Sequence, residues 1–362
     1  MTTIEPASLE LRSLDVTIDQ HQVLHDINLQ ILPGEMFVLL GGAGSGKSTL
    51  LRAIAGLDPL GGGEIWIDDR EITRSAVERR GTALMLQTFP LWAHMSVAKN
   101  VAFGLRQQRL GRSQVRALVE QELALFGLGD FYYHLPWQLN PSQQQRVALA
   151  RTLISNAQIK LLDEPFSALD ARLRERLAGA LKKRQLQSAT TTLFTTQDRN
   201  EAMRIADRIA LLHEGALQQL GAPLELYDNP RNRYVAEYMG SANLIDGEIE
   251  YAGDQPLFRT VNDIVIPLFD EAIKRSRTGS AMFRPHDLLL VGRDQAPFGD
   301  QIRLNGRVEQ TEFLGDIVRY CIDIAGEVVW MDLARGAGHP NLNIGDQIVV
   351  GIDPARIRIL EN

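Results

Sequence analysis

The sequence predicts an α/β protein built on a mainly parallel, covered sheet and followed by a smaller all-β domain. Three observations predict it. Strand-like and helix-like stretches alternate through residues 9–205. Near residue 41 a short apolar run gives way at once to a glycine-rich turn and then a helical repeat. From Gly240 onward the texture changes to short strands broken by Gly-Asp and Pro turns. The chain has 362 residues, room for about two domains at roughly 150 residues each.

Composition narrows the function classes. Hydrophobic residues make 44% and charged residues 23% of the chain, an ordinary globular balance that excludes global disorder. Thirty-eight basic against 45 acidic side chains leave a net charge of −7, the wrong sign for a surface that grips nucleic acid, so no nucleic-acid partner is expected. The single cysteine, Cys321, cannot form an internal disulfide and fits a reducing compartment. With neither a basic-then-apolar leader nor an 18-residue apolar run, the chain is expected not to cross a membrane or carry a signal peptide. It can still sit against a membrane protein.

Strands are expected at Leu9 to Thr17, Val23 to Ile31 and Met36 to Leu40, the last a continuous apolar run suited to a buried position. Lys47 to Ala55 has helical apolar spacing and is closed by Gly56. Helices follow at Val97 to Leu105, Ser113 to Leu125 and Ser142 to Ile154. Strands at Ile159 to Leu162 and Thr191 to Thr196 each precede helical sequence, Leu173 to Arg184 and Arg199 to Ile205. Lys160 interrupts an otherwise apolar strand, and one face there is expected to be less covered than usual. In the tail, strands are expected at Ile302 to Glu309, Ile317 to Ile324, Val328 to Leu333 and Gln347 to Ile352.

Gly41-Gly42-Ala43-Gly44-Ser45-Gly46-Lys47-Ser48 fills every fixed position of G-x-x-x-x-G-K-[ST], between a buried strand and a helix. Glycines let backbone N–H groups curl around an anion, the helix start adds a positive end, and Lys47 supplies charge to the outer phosphates. Ser48 would hold Mg²⁺. Asp163 and Glu164 close a second strand. Asp163 can reach the Mg²⁺ shell, and Glu164 can polarise a water for in-line attack on the γ-phosphate.

Taken with several further motifs, these residues resemble the ATP-binding subunit of an ABC transporter. Gln87, before Phe89-Pro90-Leu91-Trp92, resembles the Q-loop. Leu139-Asn140-Pro141-Ser142-Gln143 resembles the signature stretch, Ser167-Ala168-Leu169-Asp170 the D-loop and Thr196-Gln197-Asp198 the switch loop. The tail, with Gly240-Ser241-Ala242-Asn243-Leu244, Phe283-Arg284-Pro285-His286 and Leu314-Gly315-Asp316, is similar to the regulatory extension of importers for sugars, polyamines, ferric iron, phosphonates and sulfate. The resemblance implies a P-loop NTPase of ABC type over residues 1–240, with a helical subdomain at about 90–155, and an OB-like, TOBE-type domain over 241–362. It implies ATP and Mg²⁺ as ligands, with Thr49 beside the phosphate loop and with Gln87, Ser48 and Asp163 around the metal. Glu164 and Gln197 would be the catalytic pair. Two subunits, identical or different, would sandwich two nucleotides, each phosphate loop facing the partner's signature. Such a dimer would work on the cytoplasmic face of the inner membrane with permease subunits and, indirectly, a solute-binding protein. The segment after Gln87 would receive the permease, and Trp92 and Met95 there read equally as helical-subdomain packing.

Three positions depart from the family pattern. The signature is normally Leu-Ser-Gly-Gly-Gln, and here Asn140, Pro141 and Ser142 replace its middle three residues. Pro141 has no N–H to offer a phosphate, although Asn140 as N-cap, Pro141 at the first helical position and Gln143 closing a capping box spare the helix start. Asn140's amide could replace one lost bond. Gln197 stands where the family has histidine, and it can donate a hydrogen bond but carry no proton. Losing one such preorganised contact costs roughly 10²- to 10³-fold in rate, so hydrolysis is expected to be slow. The adenine-stacking aromatic falls at Ile18, which packs without stacking; His21 reads either as a substitute or, more simply, as a solvated turn histidine. An alternative is a regulatory nucleotide clamp with little or no turnover, paired with an intact subunit. In the tail, Arg284, His286 and Asp287 read either as regulator contacts or as surface turn residues.

Overall fold

The computed structural model describes residues 5–105, 108–252, 255–268, 278–292, 301–336 and 340–361. The chain forms two compact units, Met1–Leu224 and Glu225–Asn362.

The first unit opens with a hairpin of β1 (Leu9–Ile18) and β2 (His21–Ile31), joined at Asp19-Gln20. Both turn residues have positive φ, 47° and 66°, the geometry that matches the twist of the flanking strands. β3 (Met36–Leu40) is buried at all five positions, and the phosphate-type loop then leads into α1 (Lys47–Ala55). β4 (Gly62–Ile67) and β5 (Arg70–Glu71) complete an antiparallel sheet ordered β2-β1-β4-β5. After β6 (Thr82–Met85) come α2 (Val97–Ala102), α3 (Arg112–Leu125) and α4 (Pro141–Leu153). β7 (Ile159–Asp163), α5 (Ala171–Ser188), β8 (Thr191–Thr196), α6 (Arg199–Ile205), β9 (Arg208–His213) and β10 (Ala216–Gly221) finish the unit.

The main sheet is ordered β10-β9-β3-β8-β7-β6, parallel throughout except for β10. Because β3, β8 and β7 are adjacent and parallel, their carboxyl ends open at one edge. Ligands bind at that edge in open α/β sheets. Leu9, Leu29 and Ile65 from the antiparallel sheet pack in one core with Phe37, Leu39, Leu161 and the apolar face of α1.

In the second unit α7 (Pro223–Asp228), which begins at the junction, and α8 (Arg233–Met239) lead into two five-stranded antiparallel sheets. One contains β11 (Asn243–Ala252), β12 (Gln255–Thr260), β13 (Val265–Pro267), β14 (Thr278–Phe283) and the last strand of the chain. The other contains β15 (Leu289–Val291), β16 (Ile302–Phe313), β17 (Ile317–Ile324), β18 (Glu327–Ala334) and β19 (Gln347–Ile352); β20 (Arg358–Glu361) returns to the first. The boundary expected at residue 240 falls inside this unit, and Arg284 is the reason. Its guanidinium donates to the carbonyls of Tyr227, Ala236, Gly240 and Ser241 at 2.6 to 3.1 Å and lies over the Tyr227 ring, so the helices belong with the sheets. Arg284 is 3% exposed, which corrects its reading as a surface turn residue.

Lys160 also departs from expectation. It is 2% exposed in β7, so the strand is covered there, and its ammonium turns to the carbonyl and hydroxyl of Ser155, both at 2.6 Å. Glu122 of α3, paired with Arg184 of α5 at 2.6 Å, completes the charged cluster. Burial pushes the Lys160 pKa down and the Glu122 pKa up. β4 to β6, β9 to β15, β20, α7 and α8 have no counterpart among the sequence expectations. β4 opens on glycines, β5 has two residues, β10 reads Ala-Leu-Gln-Gln-Leu-Gly without alternation, and β9 follows α6 with no Gly or Pro between them.

Candidate active site

The loop Gly41–Gly46 leaves the carboxyl end of β3 and delivers its last residues to the start of α1. Two glycines there are sterically required. A Cβ on Gly41 would lie 2.3 Å from the Leu212 carbonyl, and Gly46 takes φ 101° with Leu24 Cδ2 2.6 Å from where a Cβ would sit. Ala43 and Gly44 are exposed at the mouth, while Ser48 and Thr49 are half-buried on the first turn of α1. Lys47 turns back over the loop, its Nζ donating to the carbonyls of Gly41 at 2.8 Å and Gly42 at 2.7 Å. It is 4% exposed, and burial lowers its pKa against the pull of Glu164 and Asp163. An ammonium buried among neutral oxygens is poised for an anion, because an anion repays its lost hydration best.

Asp163 ends β7, adjacent to β8. Its Oδ1 accepts from Ser48 Oγ and from Thr195 Oγ1, each at 2.9 Å. Burial raises its pKa, and those two hydroxyls partly offset the rise. The donor set suits Mg²⁺: Ser48 hydroxyl, Asp163 carboxylate and Gln87 amide are all hard oxygens. Among the described residues no cluster of three or more His, Cys, Asp or Glu could hold a metal without further ligands, so phosphate oxygens and waters would have to complete the shell, as is usual for Mg²⁺.

Glu164 sits one residue beyond, with φ 43°. Its backbone N–H donates to Thr195 Oγ1 at 3.0 Å. Its carboxylate is gripped from two sides: Gln87 Nε2 donates to Oε2 at 2.9 Å and Gln197 Nε2 to Oε1 at 2.6 Å. Three segments far apart in sequence therefore converge on one carboxylate. The fold brings together Lys47, Ser48, Gln87, Asp163, Glu164 and Gln197.

Other supports were not legible in the sequence. Thr195 holds both acidic residues through one hydroxyl. Gln145, fully buried, donates to the Glu164 carbonyl at 3.3 Å and to Ser167 Oγ at 3.0 Å, and accepts from Ala168 N–H. Gln145 ends a run of three glutamines, and only helical phase distinguishes it from its neighbours. Asp170 caps α5 by accepting from Leu173 N–H at 2.9 Å.

The signature stretch folds as its local chemistry dictates. Asn140 Oδ1 accepts from Gln143 N–H at 2.9 Å, Gln143 Oε1 accepts from Asn140 N–H at 2.8 Å, and Pro141 occupies the first helical turn. Asn140 and Pro141 are exposed and Ser142 is half-buried. Because the Asn140 carbonyl oxygen caps the helix, its NH₂ is the group left to meet a phosphate. Ile18 is 36% exposed at the hairpin tip and pairs with His21. His21 Nδ1 lies 2.9 Å from the Asp19 carbonyl, which ties the imidazole into the turn. Trp92 packs on Phe103 with ring centroids 4.0 Å apart, beneath the Arg151 guanidinium. It lines a groove with Pro90, Leu91 and Gly104, so packing and a groove wall are combined in one residue.

Comparison with known proteins gives the same picture. The chain matches the ABC transporter family over residues 24–167 and the TOBE domain family over 281–360. It is 35% identical to the sulfate/thiosulfate import ATP-binding protein CysA of Gloeobacter violaceus over 91% of this chain and 89% of that one. It is likewise 35% identical to the Fe(3+) ions import ATP-binding protein FbpC 2 of Haemophilus influenzae, over 94% of each. The putative 2-aminoethylphosphonate import ATP-binding protein PhnT of Salmonella typhimurium is 34% identical over 98% of this chain and 95% of its own. Among solved structures, the dimeric post-hydrolysis state of the ATP-binding cassette MJ0796 bound to ADP and Pi superposes with a TM-score of 0.55 at 29% identity. That match covers 59% of this chain and 98% of the other.

Proposed function

The chain belongs to the ATP-binding subunits of ABC importers, and from that premise we propose how its residues divide the work. It is an ATPase that couples ATP binding and hydrolysis to solute import. The observation that carries this reading is the double grip on Glu164: a carboxylate held by Gln87 and Gln197 beside the Ser48–Asp163 pair can orient and polarise a water facing the γ-phosphate. Backbone amides of Gly42 to Lys47 and the Lys47 ammonium would bind the β- and γ-phosphates. Ser48, Asp163 and Gln87 would hold Mg²⁺, which when bound supplies charge neutralisation of the phosphate oxygens. Glu164 takes the proton from the attacking water, and Gln197 keeps its carboxylate aligned.

Two subunits, alike or different, would face one another so that each phosphate loop meets the partner's Asn140–Gln143. Pro141 lacks an N–H and Gln197 lacks a proton to give, so we infer slow turnover with nucleotide binding intact. Nothing in the site favours a clamp that never hydrolyses, since Glu164 and both of its amide partners are in place. The relatives named above serve cargoes as unlike as sulfate, ferric ion and a phosphonate. No helix among the described residues is long and apolar enough to cross a membrane. Membrane association would come through permease subunits docked at the groove beside Trp92, on the cytoplasmic face.

The test is single-turnover hydrolysis of labelled ATP by the purified chain, alone and with its copurifying permease. We expect slow product formation alone and faster formation in the complex. Retention of ATP with no product in either setting would instead establish the clamp.

A further inference from the structure

Lys160 is a buried cation that the reading above does not use. It is the second residue of β7, the strand that ends in Asp163 and leads straight into Glu164, and it is 2% exposed. Its ammonium donates to two oxygens of one residue, the carbonyl and the hydroxyl of Ser155, both at 2.6 Å and both neutral. Burial pushes its pKa down to about 7, and Arg184 adds to the fall against the pull of Glu122. An ammonium held only by neutral oxygens in a covered strand costs stability that an apolar side chain of the same length would not.

Ser155 lies just beyond the C-terminal end of α4, the helix whose first turn is the signature stretch. Its hydroxyl donates in turn to the Thr152 carbonyl at 2.7 Å. Arg184 of α5 donates to the Leu153 carbonyl at 3.3 Å while it pairs with Glu122 of α3. Two cations from outside α4 therefore answer the carbonyls at its end, where a helix has no partners of its own to offer. That same end is a wall of the groove beside Trp92, a cavity of about 420 Å³ that Arg151, Thr152, Ser155, Ala83 and Gly104 also line. Gly104 presses on the wall: a Cβ there would lie 2.8 Å from the Arg151 carbonyl and 3.3 Å from Ser155 Cα. Ala83 on β6 is the register partner of Lys160 on β7. The groove thus touches both the acceptor of the Lys160 ammonium and the strand beside it.

We propose that Lys160 is a positioning residue that couples the groove to ATP hydrolysis: its ammonium ties the groove wall at Ser155 to the strand that delivers Asp163 and Glu164, so that a permease segment seated in the groove resets that carboxylate pair. The inference rests on the ATPase reading and on the docking groove proposed above. β7 is paired along its length with β6 and β8, and a close-packed strand of this kind transmits a displacement instead of absorbing it at one residue. At its end Asp163 Oδ1 meets Ser48 and Thr195 at 2.9 Å, and Gln87 and Gln197 align Glu164. A misplacement of about 1 Å among such groups changes a rate by about 10²-fold. Lysine suits the link. Its compact ammonium, on a flexible stem with rotatable donors, follows Ser155 without losing both bonds, whereas an apolar side chain fills the space without holding the wall.

The experiment compares ATP turnover by the full chain, alone and in complex with its copurifying permease, for the parent, Lys160→Met and Ser155→Ala. Lys160→Met keeps the length of the side chain and removes the ammonium. It should cut the permease-stimulated rate by about tenfold and leave the rate of the chain alone within about twofold. Permease copurification should be unchanged, and the melting temperature should hold or rise. Ser155→Ala, which leaves the carbonyl acceptor in place, should lower the stimulated rate by about threefold. A folding defect would lower the melting temperature and both rates together, so stimulation lost at undiminished stability separates coupling from a merely structural role. Stimulation at the parent level in Lys160→Met, an equal fall in both rates, or loss of the permease from the complex overturns the inference and leaves the ATPase reading standing. A parent rate that the permease leaves unchanged overturns the docking groove as well. ATP bound but never hydrolysed in any setting overturns the ATPase reading too.

Discussion

The phosphate loop and the switch loop leave neighbouring parallel strands at the same level, Leu40 of β3 opposite Thr196 of β8, yet they tolerate change very differently. The phosphate loop works through backbone N–H groups, and two of its glycines are fixed by close contacts, Gly41 against the Leu212 carbonyl and Gly46 against Leu24. A larger residue at either position breaks the cradle. The switch loop works through one side chain at 197, and glutamine reaches Glu164 at 2.6 Å without disturbing the backbone. Backbone chemistry is therefore kept or lost as a unit, whereas side-chain chemistry can drift by one function at a time. The groups that bind the phosphates are all kept here, whereas the switch position has lost one function.

That contrast can be broken most sharply at Glu164. Glu164→Gln should lower the single-turnover rate by about 10²- to 10⁴-fold, with ATP retention in equilibrium dialysis unchanged. On the binding side, Lys47→Ala should weaken ATP retention by about 10²- to 10³-fold, while the melting temperature holds or rises because a desolvated ammonium has been removed. Retention that survives Lys47→Ala would falsify the assignment of the loop. Gln197→His should raise turnover by roughly 10²-fold, the value of one preorganised contact; no rise would mean that glutamine already does the work. Replacing Asn140-Pro141-Ser142 by Ser-Gly-Gly should give a smaller rate gain, visible only when dimers form. It should also cost about 1 kcal/mol of stability in denaturant titration, since Pro141 restrains the unfolded chain.

The smallest expected effect lies away from the site, at Lys160. Its pKa is depressed on folding, so stability from this group is lost as pH falls toward the folded value near 7. Lys160→Met should stabilise the chain by about 1 kcal/mol or more, and by more at about pH 6 than at about pH 9, with Glu122 still paired to Arg184. Urea titration at the two pH values measures it.

Legibility followed the range of the interaction. Residue types at fixed spacing were enough for the loop from Gly41 to Ser48, the helix it opens and the capping box of Asn140 and Gln143. Each is closed by bonds within a few residues, and the observed α1 spans the predicted Lys47–Ala55. Asp163 and Glu164 could be read from the acidic end of a strand, and Gln87 and Gln197 by resemblance, but nothing along the chain says that two glutamines hold one carboxylate. Strand order decides that, by setting β7 and β8 side by side so that loops 77 and 33 residues apart from Glu164 meet it. Buried polar partners are hidden for the same reason. Lys160 reads as a flaw in a strand, and Arg284 as a regulator contact or a surface turn residue. Each acquires its role only when packing excludes water and leaves its charge to be answered by groups from other elements.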